Sequence, residues 1–143
     1  MLSLCKATYI HGSILTRNAF TISLPSEAHV QQADYFGLAS GRSVDKLAAT
    51  KSTPVRSDLV DAPYVKEFLL VLECNLALVN ELGLHTQFVG QILDVKAEDS
   101  VMGKGGSIEI AKLKPLVFAP DSQGYYGIGN FLGQAFSVGR MFE

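Results

Sequence analysis

A chain of 143 residues, 48% hydrophobic and 18% charged, with a formal net charge of −2, has enough apolar side chains for one core and too little charge for disorder. The near-neutral balance supplies no field for a phosphate backbone, and no apolar run approaches the ~20 residues that span a bilayer, so neither nucleic acid nor a membrane is an expected partner. The opening Met1-Leu2-Ser3-Leu4-Cys5-Lys6 lacks the basic start and long apolar stretch of a secretory signal, which makes the cytoplasm the expected compartment.

In chain order, residues 2–6 suggest a short strand and residues 9–18 a helix, with Ile10, Ile14 and Leu15 able to share a face. Phe20-Thr21-Ile22-Ser23-Leu24 alternates apolar and polar, the period of a half-buried strand, and Pro25 ends it. Ser26 can cap a following helix whose face carries Val30, Ala33 and Phe36. Gly37 and Gly41 bracket a tight connection, and residues 44–49 allow one or two helical turns. Residues 51–63 predict an extended loop with one short strand. Residues 67–79 and 87–96 read as long strands joined by a turn over 80–86 that contains Gly83, a β-hairpin. Gly103-Lys104-Gly105-Gly106 is a surface turn, and residues 116–119 and 125–128 suggest two more short strands. Phe131, Phe136 and Phe142 are too apolar for a free tail and are expected to pack on the body of the fold or on a second subunit. Strands outnumber helices without regular crossover units, which favours a β-barrel with peripheral helices over a doubly wound sheet.

Chemistry concentrates in Ser40-Gly41-Arg42-Ser43-Val44-Asp45-Lys46. A hydroxyl, a glycine and two cations sit around a turn leading into a helix, an arrangement that suits a phosphate. A solvated turn is the plainer reading of the same residues. No Walker or dinucleotide glycine spacing occurs. The two cysteines, Cys5 and Cys74, are far apart and expected free, with Cys74 buried. His11 and His29 are not at ligand spacing with each other, with His85 or with a cysteine, so no metal site is expected and both histidines are assigned to the surface or a helix edge.

The run Asp34-Tyr35-Phe36-Gly37-Leu38-Ala39-Ser40-Gly41-Arg42, followed by Asp45-Lys46-Leu47, resembles a signature of the flavin-reductase and flavoredoxin family of FMN-binding split β-barrels. Phe20 to Pro25, Leu72-Glu73-Cys74, Gly83-Leu84-His85 with Val89-Gly90-Gln91-Ile92, Lys114-Pro115-Leu116 and Tyr125-Tyr126-Gly127 resemble that family's further segments in the same order. The resemblance implies a mainly β split barrel with peripheral helices, residues 1–143 forming a single domain shortened at its N-terminus and lacking the family's first strands. It implies a homodimer with FMN near the subunit interface. Lys6, Ala7, Thr8, Ser40, Gly41, Arg42 and Lys46 would hold the phosphate, with Asp45 orienting Arg42 or capping the short helix. His85 would be the catalytic histidine, and Tyr126 would stack on a flavin edge or else pack in an interface. Cys5, Ile10, Ser23 and Leu84 depart from the family's usual arginine, threonine, asparagine and acid. The implied function is an electron carrier of the flavoredoxin type serving a redox partner protein. The alternatives are an NAD(P)H-dependent flavin reductase, or a dimer that has lost its cofactor.

Overall fold

The computed structural model describes residues 1–142. The fold is mainly β, a curled half-barrel with few helices. Its centre is an antiparallel hairpin of two 13-residue strands, β5 (Leu70–Leu82) and β6 (His85–Ala97). The strand β1 (Leu2–Cys5) pairs with β6 and β2 (Ala19–Leu24) pairs with β5, giving the sheet order β1-β6-β5-β2. The hairpin turn is shorter than the predicted 80–86: pairing continues to Leu82 opposite His85, and only Gly83 and Leu84 lie outside it. Gly83, at φ 65°, supplies the left-handed backbone that a two-residue turn between twisted strands requires. Register shifts at Glu73/Cys74 and at Leu76/Leu78 mark irregularities that bend the long strands.

The helix α1 (Tyr9–Arg17) joins the two outer strands and crosses one face of the sheet. Ile14, 2% exposed, packs there with Phe20, Cys74 and Phe88. The predicted apolar face of α1 is narrower than expected: Ile10 and Leu15 are 52% and 42% exposed. Ile10 borders a cavity instead of the core, and Leu15 is not part of the sheet's central cluster. Gly90 makes room for this cluster, because a Cβ there would stand 2.5 Å from Phe20 Cζ and 2.9 Å from Cys74 Cβ. Cys74 is a buried free thiol whose pKa burial pushes up, and Cys5 is also unpaired.

On the opposite side Ala19 packs with Val60 and Ala62. Residues 51–63 form the expected extended stretch with one short strand, β3 (Pro54–Arg56), which pairs with β4 (Pro63–Val65). Both strands are three residues long and are held by partners elsewhere. Thr21 Oγ1 donates to the Pro63 carbonyl at 2.6 Å, and the Thr53 N–H donates to the Glu67 carboxylate at 3.0 and 3.2 Å. Thr53, through its side chain first and its backbone N–H second, holds Glu67 below the usual carboxylate range. A third cluster of Leu70, Val101 and Leu113 closes the lower end, where α4 (Ile110–Leu113) packs.

Ser26 precedes a short 3₁₀ turn and then α2 (Val30–Leu38), but it caps neither through its side chain. Its hydroxyl is engaged by His29 Nδ1 at 3.0 Å, and the His29 ring stands edge-on to Phe68 at 5.3 Å. His29 at the start of α2 and His11 on α1 are therefore half-buried at helix edges, each beside an aromatic ring. The last hairpin, β7 (Val117–Ala119) with β8 (Gly124–Tyr126), stops before Ile128. Tyr125 anchors it by donating to Asp34 Oδ1 on α2 at 3.2 Å. Phe131, Phe136 and Phe142 are 81%, 97% and 87% exposed, so they do not pack on their own chain. No helix among the described residues is long and apolar enough to cross a membrane.

Two outcomes follow from this packing. Gly90→Ala is expected to cost about 1–3 kcal/mol by overpacking Phe20 against β6, seen as a lower urea midpoint; an unchanged midpoint would contradict the contact. The tie between Thr53 and Glu67 has a depressed carboxylate pKa, so its contribution is full above the ordinary carboxylate value and is lost as pH falls through the lowered one. Glu67→Gln is therefore expected to lower Tm at neutral pH, and to lower it less in acid, where the wild type has lost the same tie.

Candidate functional site

A cavity of about 900 Å³ opens where the β1–α1 connection approaches the segment joining α2 to α3 (Lys46–Thr50). Ala7 and Thr8 line it from the first side, and Ser40, Gly41 and Lys46 from the second. Ile10, Ile14 and Phe20 provide apolar wall, and Ser13, Arg17 and Thr21 add polar groups.

Both connections are shaped by local hydrogen bonds. At the first, the Thr8 backbone N–H and its Oγ1 both donate to the Cys5 carbonyl, at 3.0 and 2.8 Å. The hydroxyl is thereby used, and α1 begins without a side-chain cap. At the second, the N–H groups of Ser43 and Val44 donate to the Ser40 carbonyl at 3.1 and 3.2 Å, and Ser40 Oγ accepts from the Arg42 N–H at 3.3 Å. Asp45 caps α3 by accepting from the Ala48 N–H at 3.0 Å, the capping role being one of the two the sequence left open for it. Lys46 Nζ donates to the Phe36 carbonyl at 2.6 Å, tying α3 back to α2. Gly41 is where the two connections meet: a Cβ there would stand 2.9 Å from Tyr9 Cδ1.

The structure thus brings Ala7, Thr8, Ser40, Gly41 and Lys46 to one cavity. Arg42 lies beside it, on a shallow depression of about 500 Å³ lined by residues 41–47. Lys6 does not line the cavity: its ammonium pairs with Glu81, and that contact holds the Glu81 carboxyl below its usual range. His85 is exposed at the start of β6, opposite Cys5 and Leu82 and outside the cavity lining. Tyr126 is 54% exposed on β8, its hydroxyl 3.3 Å from Ser122 Oγ. Ser13, Arg17 and Thr21 were not singled out from sequence. The helical spacing of Ile10, Ser13, Ile14 and Arg17 was the available signal, since those positions share one side of α1. Among the described residues no group of three or more His, Cys, Asp or Glu gathers as a metal site.

Known proteins share this fold. Residues 1–127 match the family described as "Flavin reductase like domain". The flavoredoxin of Desulfovibrio vulgaris (Miyazaki F) is 49% identical and superposes with a TM-score of 0.91, covering 96% of this chain and 73% of that one. The flavoredoxin of Methanosarcina acetivorans is 28% identical with a TM-score of 0.93, covering 99% and 75%. An uncharacterized protein of Archaeoglobus fulgidus is 33% identical over 92 residues, 64% of this chain and 52% of that protein. The chain spans about half the length of the curated relatives it matches.

The capped turn carries its own test. Asp45→Ala is expected to cost about 1 kcal/mol of stability in urea unfolding and to speed amide exchange at residues 46–49, with Asp45→Asn keeping most of the cap.

Proposed function

The chain belongs to the flavin reductase-like family, and from that footing we propose that it is an FMN-binding redox protein of the flavoredoxin type. The observation that carries this reading is the convergence of the two connections on one cavity. One wall is apolar and suits a flat aromatic ring, and the Ser40 hydroxyl and the Lys46 ammonium on the other side suit a phosphate. The residues present fit the group. Gly41 lines the cavity without a side chain of its own, and α1 starts at the cavity without a side chain occupying its first N–H groups. Ala7, Thr8, Ser40, Gly41 and Lys46 would hold the phosphate, with Arg42 adding charge from the neighbouring depression and Tyr126 offering a ring face. When bound, FMN would supply reversible acceptance and release of electrons. The chain's own part is to bind it, orient it and keep water from its apolar face.

A redox protein is the partner we assign, and NAD(P)H is the donor in the second reading, an NAD(P)H:flavin oxidoreductase in which His85 serves as catalytic histidine. The exposure of His85 favours a role toward a molecule arriving from outside the cavity. A homodimer is supported by the apolar surface left uncovered: Phe131, Leu132 and Phe136 are 81%, 97% and 97% exposed, more than an isolated chain keeps in water. Two free cysteines suit a reducing cytoplasm.

Purified protein is expected to gain flavin absorbance and quench flavin fluorescence when FMN is added. Losing a charge-assisted phosphate partner weakens binding by about tenfold or more, so Lys46→Ala and Arg42→Ala should each raise the Kd for FMN by that factor. A wild-type protein that takes up no FMN would overturn the assignment. An unchanged Kd in both variants would remove the phosphate from this turn.

A further inference from the structure

His11 and Lys6, five residues apart in sequence, are joined through the sheet. Thr86, on β6 and 0% exposed, has its Oγ1 2.8 Å from His11 Nε2 and 3.2 Å from Glu81 Oε1. Glu81 in turn pairs with the Lys6 ammonium. The donors in this chain can be assigned. An ionised carboxylate only accepts, so the single Thr86 proton goes to Glu81, and the hydroxyl oxygen must accept from His11. His11 therefore carries its proton on Nε2, and its ring is held edge-on to Phe88 at 5.2 Å. The Lys6 backbone N–H adds a bond to the Leu84 carbonyl at 3.1 Å.

The consequence concerns the turn at residues 6–8. It is exposed and has no packing of its own, yet it presents Ala7 and Thr8 to the cavity. One end is fastened by Lys6 through Glu81, and the other by His11 at the start of α1. Both fastenings end on the same buried hydroxyl. We propose that Lys6, Glu81, Thr86 and His11 act together as positioning residues that hold the 6–8 turn at the cavity mouth, so that Lys6 serves flavin binding through Glu81 and not by touching the phosphate. This rests on the FMN reading above for its ligand, but the positioning itself belongs to the flavin-free chain.

The test uses two readouts on the full chain: amide exchange at residues 6–10 without flavin, and FMN affinity by fluorescence titration. Lys6→Met and Glu81→Gln are each expected to speed exchange in the turn and to raise the Kd for FMN by about two- to fivefold, the range of an exposed ion pair. The double variant should be no worse than either single one. His11→Gln, which keeps a donor near the Nε2 position, should behave as wild type, and His11→Leu should loosen the turn. The proposal is overturned if Glu81→Gln leaves FMN affinity unchanged or tightens it while Lys6→Met weakens it, because Lys6 would then be a direct ligand. It is also overturned if exchange at residues 6–10 is unmoved in all the variants. A wild-type protein that binds no FMN sinks the flavin reading alone, and the exchange measurement then decides the positioning chain by itself.

Discussion

Pairing of β5 with β6 is the constraint from which the other parts take their positions. Each strand is 13 residues long, so the hairpin reaches well beyond the core at the level of Cys74 and Phe88 and offers an edge on either side. β1 and β2 occupy those two edges, and α1 must then cross the sheet to connect them. Nine helical residues span about 13.5 Å, close to the roughly 14 Å of three strand spacings. The helix therefore has the length needed to bridge the sheet, with the connection before it set at β1's end. The cavity is a product of this crossing, because the 6–8 turn and one side of α1 become its wall.

The same geometry explains where polar groups are buried. Glu73 sits on β5 between Thr21 and Asp94 in register and is 0% exposed. Among the described residues neither of its carboxylate oxygens has a hydrogen-bond donor, and the nearest cation is Lys96, whose Nζ lies 3.4 Å from Oε2. A buried carboxylate without hydrogen bonds is costly, so Lys96 is its electrostatic support, shared with Asp94 at 3.3 Å. Thr86 is the opposite case: it is equally buried, but both its donor and its acceptor functions are used. Of the two, Thr86 ties α1 to β5 through His11 and Glu81, and Glu73 draws on the half-buried Lys96.

Apolar surface divides between the two ends of the molecule. Ile14, Phe20, Cys74 and Phe88 exclude water at the centre, whereas the glycine-punctuated tail holds its phenylalanines in solvent. The tail is connected to the body through β8, which Tyr125 fastens to α2.

Local patterns were enough to determine the mainly β class, the two long strands, α1, β2 and the turn at Ser40 to Lys46, because each rests on a period or on backbone chemistry within a few residues. The ordered segments from Phe20 to Tyr126 likewise carried the family. What only the tertiary structure decided involves partners distant in sequence. The pairing of β3 with β4 takes its place from Thr21, which donates to the Pro63 carbonyl, and from Ala19, which packs with Val60 and Ala62. The turn over 80–86 contracts to Gly83 and Leu84 because pairing is favourable up to Leu82 and His85. Lys6 was assigned to the phosphate through the family resemblance, and its ammonium pairs with Glu81; His11, expected at the surface or a helix edge, reaches a buried threonine on β6. Side-chain charge and hydrogen-bond capacity are written in the sequence, but which partner satisfies them depends on the distances created when the sheet closes.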